Sequence, residues 1–179
     1  IDMNVTTPNG FTHSAAIGDI DGDGDIDILE VNLGEPWAVL YLNNGNGIFS
    51  NRSELLPKDI AGQPPTFHSA TSSLIHDIDG DGFSDIILGS QHSDEWGPSR
   101  IYFGTEGGNF TKAQSLLLND LSLNSDNQII VKIQAIDTNL DGDDVLVTSY
   151  TLNDPFYTGA GIQVFRNDGN REFTDVSFE

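Results

Sequence analysis

The chain has 179 residues, 37% of them hydrophobic and 9% aromatic, enough apolar material for a packed core. Asp and Glu number 28 against 7 Lys and Arg, and the formal charge of −21 repels nucleic-acid phosphates and anionic membrane surfaces alike. There is no cysteine, and no apolar run approaches the ~20 residues that span a bilayer, so disulfides, thiol chemistry, Cys-held zinc and a transmembrane helix drop out.

The acids are unevenly chosen: 21 Asp against 7 Glu, alongside 15 Asn and 19 Gly. Asp, Asn and Gly form turns, so the composition predicts many short strands joined by tight loops rather than helices. Self-similarity organises them. AIGDIDGDGDIDILEVN (15–31), LIHDIDGDGFSDIILGS (74–90) and IQAIDTNLDGDDVLVTS (133–149) align, and their leading Asp19, Asp77 and Asp137 stand 58 and 60 residues apart. A second element, LYLNNGNGIFSN, IYFGTEGGNFTK and QVFRNDGNREFTD, keeps nearly the same period, so a unit of about 60 residues occurs three times.

In chain order, residues 1–10 read as the end of a preceding element or a linker, 11–60 as a first unit, 61–118 as a second and 119–179 as a third. Each unit predicts four short strands. In the first these are an inner strand near 12–17, the apolar run IDILEVNL, the strand WAVLYLN and, after an NNGNG hairpin turn, a polar outer strand in IFSNRSEL. Residues 112–125 predict the fourth strand of unit two plus a connection. Four-stranded units at regular spacing are the signature of β-propeller blades. Propellers close with about 4–8 blades, so three are expected to be a piece of a larger polypeptide or an open array completed by other chains.

The loops after the first strands carry the chemistry. In the first, Asp19, Asp21, Asp23 and Asp27 place side-chain oxygens at positions one, three, five and nine, with Gly24 at six and the carbonyl of Asp25 at seven. The second repeats this with Asp77, Asp79, Asp81 and Asp85, Gly82 at six and Phe83 at seven. A hard cation wanting six to eight oxygens needs such alternation, and the glycine lets the chain curl. That favours calcium over magnesium, and the lack of nitrogen and sulfur ligands argues against zinc. Without a cation, so many carboxylates in one loop repel one another. The third loop departs: Asp137, Asn139, Asp141 and Gly142 keep positions one, three, five and six, Asp143 stands at seven, Asp144 falls one residue early and Val145 takes the ninth place. Two calcium sites are therefore expected, with a weaker third.

With the hairpins YLNNGNGIF and VFRNDGNREF, these loops resemble FG-GAP/VCBS-type repeats, the calcium-loop blades of integrin α-subunit propellers and of many bacterial surface and secreted proteins. The resemblance covers roughly 11–179 and is nearer the VCBS variety, since clean Phe-Gly and Gly-Ala-Pro signatures are lacking. It implies a parent of about seven blades, an extracellular or cell-surface setting, and adhesion, ligand binding or scaffolding. The partners it implies are proteins or carbohydrates at the cell surface.

Other residues have plainer readings. His13, His68, His76 and His92 read as polar strand or channel positions, and Trp37 and Trp96 as packing residues in strand connections. Asn4, Asn51 and Asn109 match the glycosylation sequon, which discriminates little in so Asn-rich a chain. No nucleophile elbow or HExxH motif occurs, so no enzyme is expected. The expectation is a calcium-binding extracellular repeat module. Its rivals are a subunit of an extracellular oligomer or fibre, and a non-catalytic appendage of a secreted enzyme.

Overall fold

The computed structural model describes residues 11–33, 38–58, 60, 70–90, 99–111, 114–118, 128–138, 145–152 and 157–177. They form twelve strands in three four-stranded antiparallel sheets. The first sheet is β1 (Phe11–Gly18), β2 (Asp27–Leu33), β3 (Ala38–Asn43) and β4 (Phe49–Asn51). The second is β5 (Ala70–His76), β6 (Asp85–Ser90), β7 (Arg100–Tyr102) and β8 (Ser115–Leu117), and the third β9 (Gln128–Ile136), β10 (Val145–Leu152), β11 (Thr158–Gly169) and β12 (Glu172–Asp175). Each sheet is a meander whose spatial order is its sequence order, so the three sequence units become three blade-like sheets.

The apolar runs explain the stacking. A strand buried on one face alternates apolar and polar residues, whereas one buried on both is apolar throughout. All six residues of β6, DIILGS, are buried. Ile86 and Leu88 face a core shared with the first sheet (Leu29, Val31, Leu40), and Ile87 faces a core shared with the third (Ile133, Leu146, Phe165). Full burial of a side chain of this size contributes about 1.5–3 kcal/mol, so the two cores hold sheet two between its neighbours.

The first strands are where the sheets touch. Ser14 Oγ lies 3.1 Å from Ser73 Oγ between β1 and β5, and Thr71 Oγ1 donates to the Ile130 carbonyl at 2.6 Å between β5 and β9. Gly18 is required by this approach, since a Cβ there would lie 2.4 Å from Ile75 Cγ2.

One predicted element is shorter than expected. The fourth strand of unit one ends at Asn51, and Ser53–Leu55 form a 3₁₀ turn. Asn51 Oδ1 accepts the Ser53 N–H at 3.0 Å, and Ser53 Oγ accepts the Leu40 N–H at 3.1 Å. These side chains offer the backbone an alternative to the ladder and turn the chain out of it. In the second unit β8, Ser115–Leu117, lies within the segment expected to hold the fourth strand.

Candidate metal centres

Both acidic loops link the first and second strands of a sheet, at one end of each. Their curl is set by the leading aspartate. Asp19 Oδ1 accepts the N–H groups of Gly22 (2.8 Å) and Asp23 (3.1 Å), and Oδ2 that of Gly24 (2.9 Å). Asp77 does the same for Asp81 (3.1 Å) and Gly82 (2.9 Å). The sixth-position glycines Gly24 and Gly82 both have φ of 90°, a left-handed conformation that side chains disfavour. The second-position isoleucines anchor the loops: Ile20 is buried in the core between sheets one and two, and Ile78 in the core between sheets two and three.

The ninth-position carboxylates are the fixed floor. Asp27 and Asp85 are wholly buried. Asp27 Oδ2 accepts the Ile20 N–H and Oδ1 the Asn43 N–H, both at 2.8 Å. Asp85 Oδ2 accepts the Ile78 N–H at 2.9 Å and Oδ1 the Gly104 N–H at 2.8 Å. Each thus ties its loop to the end of the third strand.

The curl brings one oxygen each of Asp19, Asp21 and Asp27 within 4.8 Å of one another, and likewise Asp77, Asp79 and Asp85. Neither set includes the fifth-position aspartates, whose Oδ1 atoms accept the N–H two residues on: Asp23 from Asp25 at 2.9 Å, and Asp81 from Phe83 at 3.0 Å. The Asp25 carboxylate lies beside Gly45 of its own hairpin.

Crowded buried carboxylates resist ionisation. Burial pushes Asp85 up to about 7, against the pull of its two backbone donors and helped by the charges of Asp79 and Asp81. Burial also raises Asp27, and raises Asp21 with help from the charge of Asp23. Asp21 Oδ1 is buried without a hydrogen-bond partner. Converging all-oxygen donors and a buried carboxylate oxygen without a partner are what a hard divalent cation satisfies.

The neighbouring hairpin covers each loop, and here the two differ. Counting back from the closing phenylalanines, Gly47, Gly108 and Arg171 are equivalent, with φ of 74°, 69° and 65°. A Cβ on Gly108 would come within 3.0 Å of the Ile20 carbonyl oxygen and 3.3 Å of Asp21 Cα, so the second sheet's hairpin lies against loop one with bare backbone. The third sheet's hairpin meets loop two with side chains. Asn167 Nδ2 donates to the Ile78 carbonyl at 2.9 Å. Arg171 Nε donates to Asp79 Oδ2 at 2.5 Å and Nη2 to Asp81 Oδ2 at 3.0 Å. Its guanidinium sits 4.5 Å from the centre of the Phe103 ring. The sequence reading missed Arg171; its signal is a basic residue at a hairpin position that glycine holds in the other two units.

Loop three lies mostly outside the described residues, including Asn139, Asp141, Asp143 and Asp144. Asp137 follows β9. The strand register bears on its ninth position: Gly18 pairs with Asp27, His76 with Asp85, and Ile136 with Val145. An apolar side chain stands where the other two sheets have their buried carboxylate.

Of the sequons, Asn4 is outside the described residues. Asn51 is exposed with its oxygen engaged by Ser53, and Asn109 is exposed with Nδ2 donating to the Glu106 carbonyl at 3.1 Å. His13 lies edge-on to Phe11 and His76 ends β5, while His68, His92, Trp37 and Trp96 lie outside the described residues.

No family model matches the chain. Integrin alpha-7 of Rattus norvegicus and integrin alpha-7 of Mus musculus are each 26% identical to it over 120 residues, which is 61% of this chain and 10% of theirs. The chain therefore spans about a tenth of the length of these curated relatives. Over three-fifths of its length, it is similar to a segment of an integrin α-subunit.

Proposed function

We propose that this chain is a calcium-binding, extracellular repeat module of FG-GAP/integrin-like type, non-catalytic, with a structural, adhesive or ligand-binding role. The observation that carries the metal half is the twin convergence of Asp19, Asp21, Asp27 and Asp77, Asp79, Asp85, together with the buried, unpartnered Oδ1 of Asp21 in the first set. When bound, the ion supplies positive charge that lets these carboxylates ionise together. The chain's own part is to hold them: Asp19 and Asp77 wind the loops, and Asp27 and Asp85 fix them to the sheets. The adhesive, cell-surface half rests on the similarity to integrin alpha-7. Protein or carbohydrate partners follow from that reading; among the described residues no helix is long and apolar enough to cross a membrane.

A second reading is favoured by the outer faces. Phe11 and Ile17 of β1 and Ile162 of β11 are about two-thirds exposed. Large exposed apolar side chains at the two end sheets suit contact with further blades or neighbouring chains, as in an open array or fibre.

Native mass spectrometry tests the metal half. Two calcium ions per chain are expected, falling to one in Asp21→Ala or Asp79→Ala and to none in the double variant. A chain that carries no calcium at millimolar concentration rejects the reading. Light scattering with and without calcium tests the second: association that strengthens with calcium supports it, and a monomer at high concentration rejects it.

A further inference from the structure

We propose that Arg171 is a built-in counter-ion of the second acidic loop, so that cation occupancy there is linked to docking of the third sheet on the second. The inference rests on the metal reading above. Arg171 belongs to the hairpin of the third sheet, yet its guanidinium bridges Asp79 and Asp81 of the second. Asp79 is one of the three converging carboxylates, and its side chain is only 5% exposed. A carboxylate so placed needs a partner, and the bridge over Phe103 supplies one with a charge-assisted fork.

The bridge is built at a conformational cost. Arg171 has φ of 65°, in the left-handed region where Gly47 and Gly108 serve the other two hairpins. A glycine would close this hairpin with less strain, so hairpin geometry alone does not account for an arginine. What distinguishes the position is the acidic loop across the interface. Loop one meets bare backbone at Gly108, which carries no side chain, and its equivalent aspartate, Asp21, keeps a buried oxygen with no hydrogen-bond partner among the described residues.

Two consequences follow from charge. Without a divalent cation, loop two is already partly neutralised and stays folded against the third sheet, while loop one is not. With one, the cation and the guanidinium share Asp79 and repel each other, so loop two binds more weakly than loop one. Linkage is reciprocal, and the factor by which Arg171 weakens the ion is the factor by which the ion loosens the bridge.

Calcium titration of the full chain carrying Asp19→Asn and Asp21→Asn isolates loop two. Adding Arg171→Gly, which also relieves the left-handed strain, is expected to tighten calcium at loop two about tenfold, or about 1.4 kcal/mol. Arg171→Lys, which keeps the charge, should stay within threefold of the parent. In EGTA, Arg171→Gly should speed hydrogen exchange at Asp81, Gly82 and Phe83, with Arg171→Asn, whose side chain tolerates positive φ, as the second variant. Affinity unchanged within twofold in Arg171→Gly, while the parent still binds, overturns the proposal alone. Binding of no calcium by the unaltered chain overturns the metal reading and the linkage with it. Unchanged exchange in EGTA overturns the counter-ion role whatever the calcium result.

Discussion

Loops one and two share a backbone, a glycine conformation and three converging carboxylates, yet they meet different neighbours. Loop one lies under the bare backbone of Gly108, and loop two under the guanidinium of Arg171. Local sequence builds the same carboxylate cluster twice, and the adjoining sheet sets the charge around it. The equivalent third-position aspartates show the result: Asp21 has a buried oxygen without a partner, and Asp79 has an ion pair. A repeat protein can thus vary its sites one at a time by changing a residue that lies about 90 positions away in sequence.

The largest expected effect is common to both loops and sets the baseline for comparing them. Asp27→Ala or Asp85→Ala strands two buried backbone N–H groups, each worth about 1–3 kcal/mol. Either substitution should lower unfolding free energy in calcium by roughly 2–4 kcal/mol and remove one ion. Urea denaturation checks this, and a loss below about 1 kcal/mol would mean that the floor carboxylates are not what tie loop to sheet.

Next comes the dependence on pH, which should be steeper through loop two. The Asp85 carboxyl is pushed up to about 7 in the folded chain, so the folded state holds its proton more tightly than the unfolded state does. The stability this contributes is present in full below about pH 4 and is lost as pH rises through about 7. Calcium favours the ionised form and should flatten the trend. The metal-free slope should shrink in Asp85→Asn; an identical slope in the variant would assign the effect to other carboxylates.

A smaller contrast separates the loops directly. In EGTA, Asp21→Asn removes a charge that Asp23 and Asp19 repel and should stabilise by about 1 kcal/mol, whereas Asp79→Asn breaks the Arg171 pair and should destabilise by a similar amount. Thermal or urea melts of the two variants should therefore move in opposite directions, and shifts of the same sign would erase the proposed difference between the loops. The smallest effect is expected at loop three. With Val145 at the ninth register position, Asp141→Ala should leave the two tighter ions in place, as metal counting would show. Loss of the tightest ion instead would reverse that ranking.

Much of this was legible in the residues. The strand DIILGS holds the unbroken apolar run Ile86-Ile87-Leu88 and is buried on both faces, as a period-free apolar run predicts. The spacing of Asp, Gly and Asp pointed to two tightly curled loops; that they wind on their first carboxylate and are tied down by their ninth is visible only in the structure. Other features depend on tertiary context. Asn51 and Ser53 look like strand residues in IFSNRSEL, and their side-chain bonds to backbone are what end β4 early. Asp23 and Asp81 share the alternation of the converging set, but their oxygens cap the following turn. Arg171 was overlooked because its partners lie in another unit, and no local period links Asp79 with a hairpin one sheet away.

The thermal melt of the unaltered chain in EGTA, in calcium and in magnesium tests the central claim most directly. Each site stabilises by about 1.4 kcal/mol at tenfold excess over its dissociation constant. At about 2–4 °C per kcal/mol for a chain of this size, two sites should raise the midpoint by roughly 5–10 °C in millimolar calcium, with a smaller rise in magnesium. A midpoint that is the same in EGTA and in calcium would contradict the account, because the converging carboxylates of both loops would then do without a cation.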